Sequence, residues 1–290
     1  MAFVGVSAWS TVTGVRGTKC VEKRRRCTVS VVETPRVGSV RTEPLKEKNR
    51  GREPVLHTEG DKLQDEPWMI GSVLGAGMLA AAEAISLSTQ VGSGFGLATA
   101  LLGVAAGYLF ADAGSGIYHW ALDNYGTKDT PVFGYQIEAF QGHHASPWTI
   151  TNRGLFNNIS RPAIVGIPMF ALMLAFQMPV AVEAFLCTTV TLSVLAQEFH
   201  KWSHMQRPSA PVKFLMAAGL LISTKVHGQH HRNPFEGNYC IVNGVCNDFL
   251  DRTKFFRKLE GLVYALTGNT PICWDLDPSL KVEALGESST

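Results

Sequence analysis

The sequence predicts an all-α integral membrane protein of about four transmembrane helices in two hairpins plus a short interfacial helix, with its histidines gathered at one membrane face. Three observations carry that prediction. Only 17% of the 290 residues are charged, while 46% are apolar. Uncharged runs long enough to cross a bilayer recur along the chain. Eight of the nine histidines fall between His119 and His231, in clusters that flank those runs. At roughly 150 residues per domain, the length admits one or two domains.

The first 60 residues hold 12 of the 26 Lys and Arg but 6 of the 24 Asp and Glu, a balance of +6, which leaves −4 for residues 61–290. The positive excess sits in an arm, which argues against a basic nucleic-acid-binding body. From Met1 to Val21 there is no acidic residue, hydroxyl side chains are frequent, and Arg16, Lys19 and the run Lys23–Arg26 supply charge. Without a long apolar core, this profile is that of an organelle transit peptide, and its Met-Ala start favours a plastid. A nuclear signal at Lys23–Arg26 is the plainer rival. Pro35, Pro44, Pro54 and Pro67 punctuate a polar linker. Residues 1–60 are therefore read as transit peptide and disordered linker. Residues 61–290 are read as the membrane-embedded domain, with a polar mobile tail from about 279 to 290.

Trp68–Thr89 carries one charge, Glu83, in 22 residues, and Val91–Ala111 carries none in 21. Pro162–Val182 has none in 21, and after Glu183 the stretch Ala184–Gln197 adds 14 more. A spanning helix needs about 20 mostly apolar residues. Spans are expected near 68–88, 95–118, 163–178 and 181–199, with Pro179 in the second tight turn. Phe214–Ser223, 10 residues between Lys213 and Lys225, is too short to cross and suits an interfacial segment. Gly71-x3-Gly75 and Gly103-x3-Gly107 have the small-residue spacing of close helix pairs and are expected to support packing in the first hairpin. Gly75-x-Gly77-x-x-Ala80 has dinucleotide-fingerprint spacing, but it lies inside an apolar run with no strand before it. The two far-side turns, about 88–95 and 177–183, hold no Lys or Arg, so the polar bulk belongs on the cytoplasm-equivalent side, which in a plastid is the stroma. The six cysteines show no CxxC spacing and are read as free thiols.

The histidines are grouped as His119, His143-His144, His200-x3-His204 and His227-x2-His230-His231, with His57 apart in the linker. Helical positions i and i+4 share a face, which pairs His200 with His204 and His119 with Asp123. His227 can pair with His230 or with His231, and the adjacent His143 and His144 point in different directions, able to serve two neighbouring metals. Two hairpins entering from one side bring all four clusters to one membrane face. A lone histidine is more often a core or surface residue than a ligand, so the convergent set is what points to metal. Three or four nitrogen ligands suit zinc. Eight imidazoles are too many for one zinc ion and enough for two irons with open positions for dioxygen. Such a centre can attack an unactivated C–H bond, and beside apolar helices its natural substrate is a lipid acyl chain. Trp120, Trp148 and Trp202 adjoin the clusters and are read as interface anchors. Asp112, at a span end, is either a cap or support for the ligands, or simply solvated.

Four segments resemble the Kua-type lipid desaturase family. They run from Asp112 to Asp123 around His119, from Gln141 to Pro147 around His143-His144, from Gln197 to His204, and from His227 to His231. The resemblance covers about residues 68–278 and includes Asn238-Tyr239-Cys240 and Asn247-Asp248-Phe249-Leu250-Asp251. The sequence departs from the commoner membrane desaturases in two places: the first box is His119-x3-Asp123, and Gln141 stands where the second box would have its leading histidine. The resemblance implies that His119, His143, His144, His200, His204, His227, His230 and His231 bind two non-haem irons, with Asp123 as a ninth ligand or an orienting group. Asp112 and Gln141 are further candidates for orienting the ligands. It also implies dioxygen and two external electrons, with ferredoxin as the donor. The family includes plasmanylethanolamine desaturases and the plastid desaturase that places a trans double bond at C3 of the sn-2 palmitoyl chain of phosphatidylglycerol. The transit-like arm favours the plastid branch, in a thylakoid or envelope membrane with the site facing the stroma. The rival readings are a vinyl-ether-forming desaturase of the endoplasmic reticulum, a di-iron lipid hydroxylase and, from another class, a histidine-rich metal transporter.

Overall fold

The computed structural model describes residues 53–286, apart from Glu59 and Ser93. The basic arm read as a transit peptide lies outside the described residues. Among the described residues every regular element is a helix and there is no strand.

Four helices among the described residues are long and apolar enough to cross a membrane: α1 (Pro67–Gln90), α2 (Gly94–Asn124), α4 (Leu155–Ala175) and α5 (Val180–His204). Large apolar side chains such as Leu74, Met78, Leu101, Phe110, Ile164 and Leu172 are exposed along them, as lipid-facing surfaces require. Short connections after Gln90 and after Ala175 return the chain at the far side. The near side carries α3 (Gly134–Ala145), a 3₁₀ turn (Pro147–Asn152), α6 (Ala210–Ala217), α7 (Thr224–His230), α8 (Asn247–Arg252), α9 (Phe255–Thr267), α10 (Ile272–Leu276) and α11 (Ser279–Leu285).

The hairpins interleave. Instead of packing chiefly on its hairpin partner, α2 packs along α5 and α1 along α4, while α4 and α5 also pack together. Gly103 and Gly107 face α5, where an added Cβ would lie 2.3 Å from the Ala181 carbonyl oxygen and 2.5 Å from that of Phe185. The expectation that this pair serves the first hairpin is thus corrected: its partner is the fourth span. Gly71 has nothing within 4 Å. At the far end, Gln90 Nε2 donates to both carboxylate oxygens of Glu183, at 3.0 and 2.8 Å, tying α1 to α5.

The third span starts eight residues before its expected position at 163 and ends at Ala175. Its first turns are polar, and Asn157 N donates to Asp65 Oδ1 at 2.7 Å, so a carboxylate from the segment before α1 caps the helix. Pro162 and Pro168 lie inside this helix. Such breaks are tolerated where neighbouring helices support the freed backbone. Asn158 Nδ2 and Lys201 Nζ both reach Glu198, at 3.0 and 2.8 Å, and so join the near ends of α4 and α5. The interfacial segment forms α6, with Phe214 exposed; the chain then turns so that buried Ile222 bonds Val242 through the backbone.

Residues 53–66, read as linker, lie along the near side. Val55 N donates to Thr149 Oγ1, Trp148 Nε1 donates to the Glu53 carbonyl, and Asp61 pairs with Arg153. At the other end, residues 279–285 of the expected mobile tail form α11, because Leu280 and Ala284, one helical turn apart, pack with Cys273, Trp274 and Tyr264. Residues 287–290 lie outside the described residues.

Trp120 proves to be a core residue instead of an interface anchor. Its Nε1 donates to Glu260 Oε1 at 3.2 Å, and Trp274 Nε1 donates to Oε2 at 2.7 Å. Arg257 closes this network at 2.5 Å from Glu260, and both residues are buried. Removing Arg257 would leave a buried carboxylate without its cation, which costs about 3–5 kcal/mol. Arg257→Ala should therefore lower the unfolding free energy in detergent by about that amount, and Arg257→Lys, which keeps the charge, should recover part of it. Parent-like unfolding of the alanine variant would contradict the assignment.

Candidate metal centre

The near ends of α2 and α5 present His119, Asp123, His200 and His204 to α3, which carries His143 and His144, and to α7, which carries His227 and His230 and is followed at once by His231. The nine groups fall into two sets whose ligand atoms lie within 4.8 Å of one another. One set is His143, His200, His204, His227 and His231; the other is His119, Asp123, His144 and His230. The adjacent pairs His143-His144 and His230-His231 are each divided between the sets. The two sets adjoin, with the His230 and His231 ring centroids 5.2 Å apart and those of His119 and His200 5.4 Å apart.

In the five-histidine set, the Nε2 atoms converge on one another. His204 Nε2 is 2.9 Å from that of His143, 3.2 Å from that of His200 and 2.8 Å from that of His227, while the Nε2 atoms of His231 and His227 are 3.0 Å apart. Ligands about 2.1 Å from a shared cation, as imidazoles are, stand about 3 Å apart at right angles. Burial, and then the neighbouring imidazoles, hold His143 and His227 well below the ordinary imidazole range, and burial with the pull of His143 and His204 does the same for His231. All three are therefore neutral at physiological pH, the form that ligates metal.

The second set gives the sharper test of fit. His119 Nδ1 is 3.0 Å from the Tyr239 carbonyl and His230 Nδ1 is 2.9 Å from that of Gly237. A carbonyl only accepts, so each ring carries a proton on Nδ1, and in the neutral form that ligates metal its Nε2 is then a bare lone pair. Those two Nε2 atoms face the same Asp123 Oδ2, at 3.3 and 3.4 Å, and His144 Nε2 stands 3.1 Å from it. These distances fall within ion-pair range, yet in that form His119 and His230 have no proton to offer there, and the Asp123 oxygens and these Nε2 atoms are buried without hydrogen-bond partners. Acceptors gathered around a buried carboxylate need a cation among them. The residues fit a metal in each set, with nitrogen donors throughout and one carboxylate.

The orienting groups are mostly ones that spacing could not reveal. The loop 237–242 supplies both carbonyls that set the His119 and His230 tautomers. Asn247 clamps Cys240 through its N–H and C=O, at 2.8 and 3.2 Å, and Asp251 Oδ2 accepts from Asn238 N at 3.1 Å. Asp112 belongs to neither set. Its oxygens accept from the backbone N–H of Asn243, Gly244 and Cys246, so it acts on the ligands only by holding the loop that holds His119. Gln141 also stands outside both sets, and its Nε2 donates to the Leu122 carbonyl at 3.3 Å, fastening α3 beside Asp123. His57, set aside in the sequence, lies against Gly142, where a Cβ would fall 2.5 Å from its ring.

His143 and His200 also line a cavity of about 720 Å³ that continues between α4 and α5 past Val165, Met169 and Val190. An apolar cavity with few convergent polar groups is the usual form of a ligand site.

A family model described as the lipid desaturase domain matches residues 108–274. Over 197 residues the chain is 46% identical to "Fatty acid desaturase 4, chloroplastic" of Arabidopsis thaliana, covering 66% of this chain and 60% of that protein, which is less than two thirds of its length. It is 39% identical over 260 residues to "Fatty acid desaturase 4-like 1, chloroplastic" of the same plant, covering 87% of this chain and 86% of that one. It is 33% identical over 176 residues to the plasmanylethanolamine desaturase of Myxococcus xanthus, covering 59% and 63% of the two chains. No solved structure matches the chain.

Proposed function

The chain belongs to the lipid desaturase domain family, and from that premise we propose that it is a non-haem di-iron desaturase of a chloroplast membrane, introducing a trans double bond at C3 of the sn-2 palmitoyl chain of phosphatidylglycerol. The observation that carries the reading is the pair of adjoining ligand sets at the near ends of the spans, with an apolar cavity reaching His143 and His200. Both chloroplast relatives named above support the compartment, and far-side turns without Lys or Arg support a stromal site.

In this reading His143, His200, His204, His227 and His231 hold one iron, and His119, Asp123, His144 and His230 hold the other. When bound, the iron pair supplies the oxidising power to remove two hydrogens from the acyl chain, using dioxygen and two electrons from ferredoxin. The protein's own work is positioning. Tyr239 and Gly237 keep the His119 and His230 lone pairs aimed inward. Val165, Met169 and Val190 exclude water and align a saturated chain whose ester end stays at the polar face. A carbon three atoms from the carboxyl end must lie near that face, which is where the histidines are.

Expression of the full chain with ferredoxin in a heterologous host, followed by fatty-acid analysis resolved by lipid class, tests the proposal. A trans-3-hexadecenoyl chain confined to phosphatidylglycerol is the expected product. A vinyl ether in ethanolamine lipids, or a hydroxylated chain, would replace it with one of the rival chemistries.

A further inference from the structure

The cavity that reaches His143 and His200 has three permanently charged side chains in its lining: Asp61, Arg153 and Arg161. Two of them cancel. Asp61 accepts from Arg153 Nη1 at 3.0 Å and pairs with Nη2 as well, and the Arg153 guanidinium holds the Asp61 carboxyl below its ordinary value in spite of burial. Arg161 is left as the surplus. Its guanidinium lies over the Tyr135 ring, 3.8 Å from the centroid, and it makes no ion pair among the described residues. Tyr135 is itself fixed, its hydroxyl donating to Asp61 Oδ1 at 2.9 Å. Stacking occupies the face of the guanidinium and leaves its edge, with the fork of N–H donors, free.

The position of Arg161 along its helix matters as much as its charge. It is exposed yet lines the cavity, which puts it at an opening. It is the last charged residue before the uncharged run Pro162–Val182, so it stands at the level where lipid headgroups meet hydrocarbon. A phosphodiester is the anion found at that level, and a planar fork binds two of its oxygens together. The lining offers no acid free of a partner, so an ammonium-bearing headgroup gains nothing there.

We infer that Arg161 anchors the phosphodiester of the lipid substrate at the cavity mouth and makes the site prefer phospholipids of net negative charge over zwitterionic ones. This rests on the lipid-desaturase reading of the same cavity and adds a specificity residue to it. With the headgroup held by Arg161, the start of an acyl chain enters the cavity toward His143 and His200.

The test uses the purified full chain incubated with equimolar phosphatidylglycerol and phosphatidylcholine of identical acyl chains, with retained lipid counted by native mass spectrometry. The parent should retain phosphatidylglycerol in about tenfold preference. Arg161→Gln should bring the two lipids to near parity, and Arg161→Lys, keeping charge without the fork, should fall between. In the desaturation assay Arg161→Gln should raise KM for phosphatidylglycerol by about tenfold, with kcat within about twofold of the parent. An unchanged lipid preference in a monodisperse Arg161→Gln protein would overturn the inference. So would displacement of phosphatidylglycerol by millimolar inorganic phosphate, which would mark a site for the free anion. If the parent desaturates no lipid at all, the functional reading fails while the retention measurement still decides the role of Arg161.

Discussion

His204→Ala should produce a chain that folds and inserts but forms no desaturated lipid. His204 Nε2 is the atom the other imidazoles gather around, within 3.2 Å of the Nε2 atoms of His143, His200 and His227. Losing an outer hydrogen-bond partner of a metal ligand costs about 10–100-fold in affinity or activity, so loss of a ligand at the centre of the set should exceed about 100-fold. Folding should survive, because the change removes one of several mutually facing lone pairs and leaves the helix contacts of α5 intact. The readouts are lipid-resolved fatty-acid analysis and metal content. Product at more than about a tenth of the parent level would place the chemistry elsewhere.

Gly107→Leu should cause the largest loss of folded protein. A Cβ at this position would stand 2.5 Å from the Phe185 carbonyl oxygen and 3.0 Å from Thr188 Cβ, both on α5. Backbone cannot yield as a flexible side chain can, so the two helices must separate. These same helices carry His119 and Asp123 at one near end and His200 and His204 at the other, so separation also pulls the ligand sets apart. Gly107→Ala should already lower the thermal midpoint, and Gly107→Leu should yield little monodisperse protein in detergent. Gly71→Ala, at a position with nothing within 4 Å, should match the parent. A Gly107→Leu protein as abundant and thermostable as the parent would show that the close approach of α2 and α5 is dispensable.

The spans were legible because lipid imposes a composition that any 20-residue window detects. What the window could not see was structure held by distant partners. The polar start of α4, with Asn157, Asn158 and Arg161 ahead of Pro162, looks like a loop until Asp65, 92 residues earlier, caps it. The Gly103–Gly107 spacing announced a close helix approach, but spacing along one helix does not name its partner. The histidine clusters were legible because i, i+4 chelation is local, and the division of His143 from His144 follows from helix geometry. The carbonyls of Gly237 and Tyr239 carry no sequence signal, since every residue has a carbonyl. The Arg257–Glu260 pair had one, an i, i+3 pair on an amphipathic helix, although its burial against Trp120 and Trp274 depends on the tertiary fold.

Metal analysis of the purified full chain, joined to Mössbauer spectroscopy of iron-57-enriched protein, bears most directly on the central claim that the two ligand sets form one di-iron site. Two irons per chain are expected, giving spectra of high-spin iron in nitrogen-rich surroundings, with His204→Ala retaining about one or none. A parent that holds a single metal, or two zinc ions and no iron while active, would contradict it.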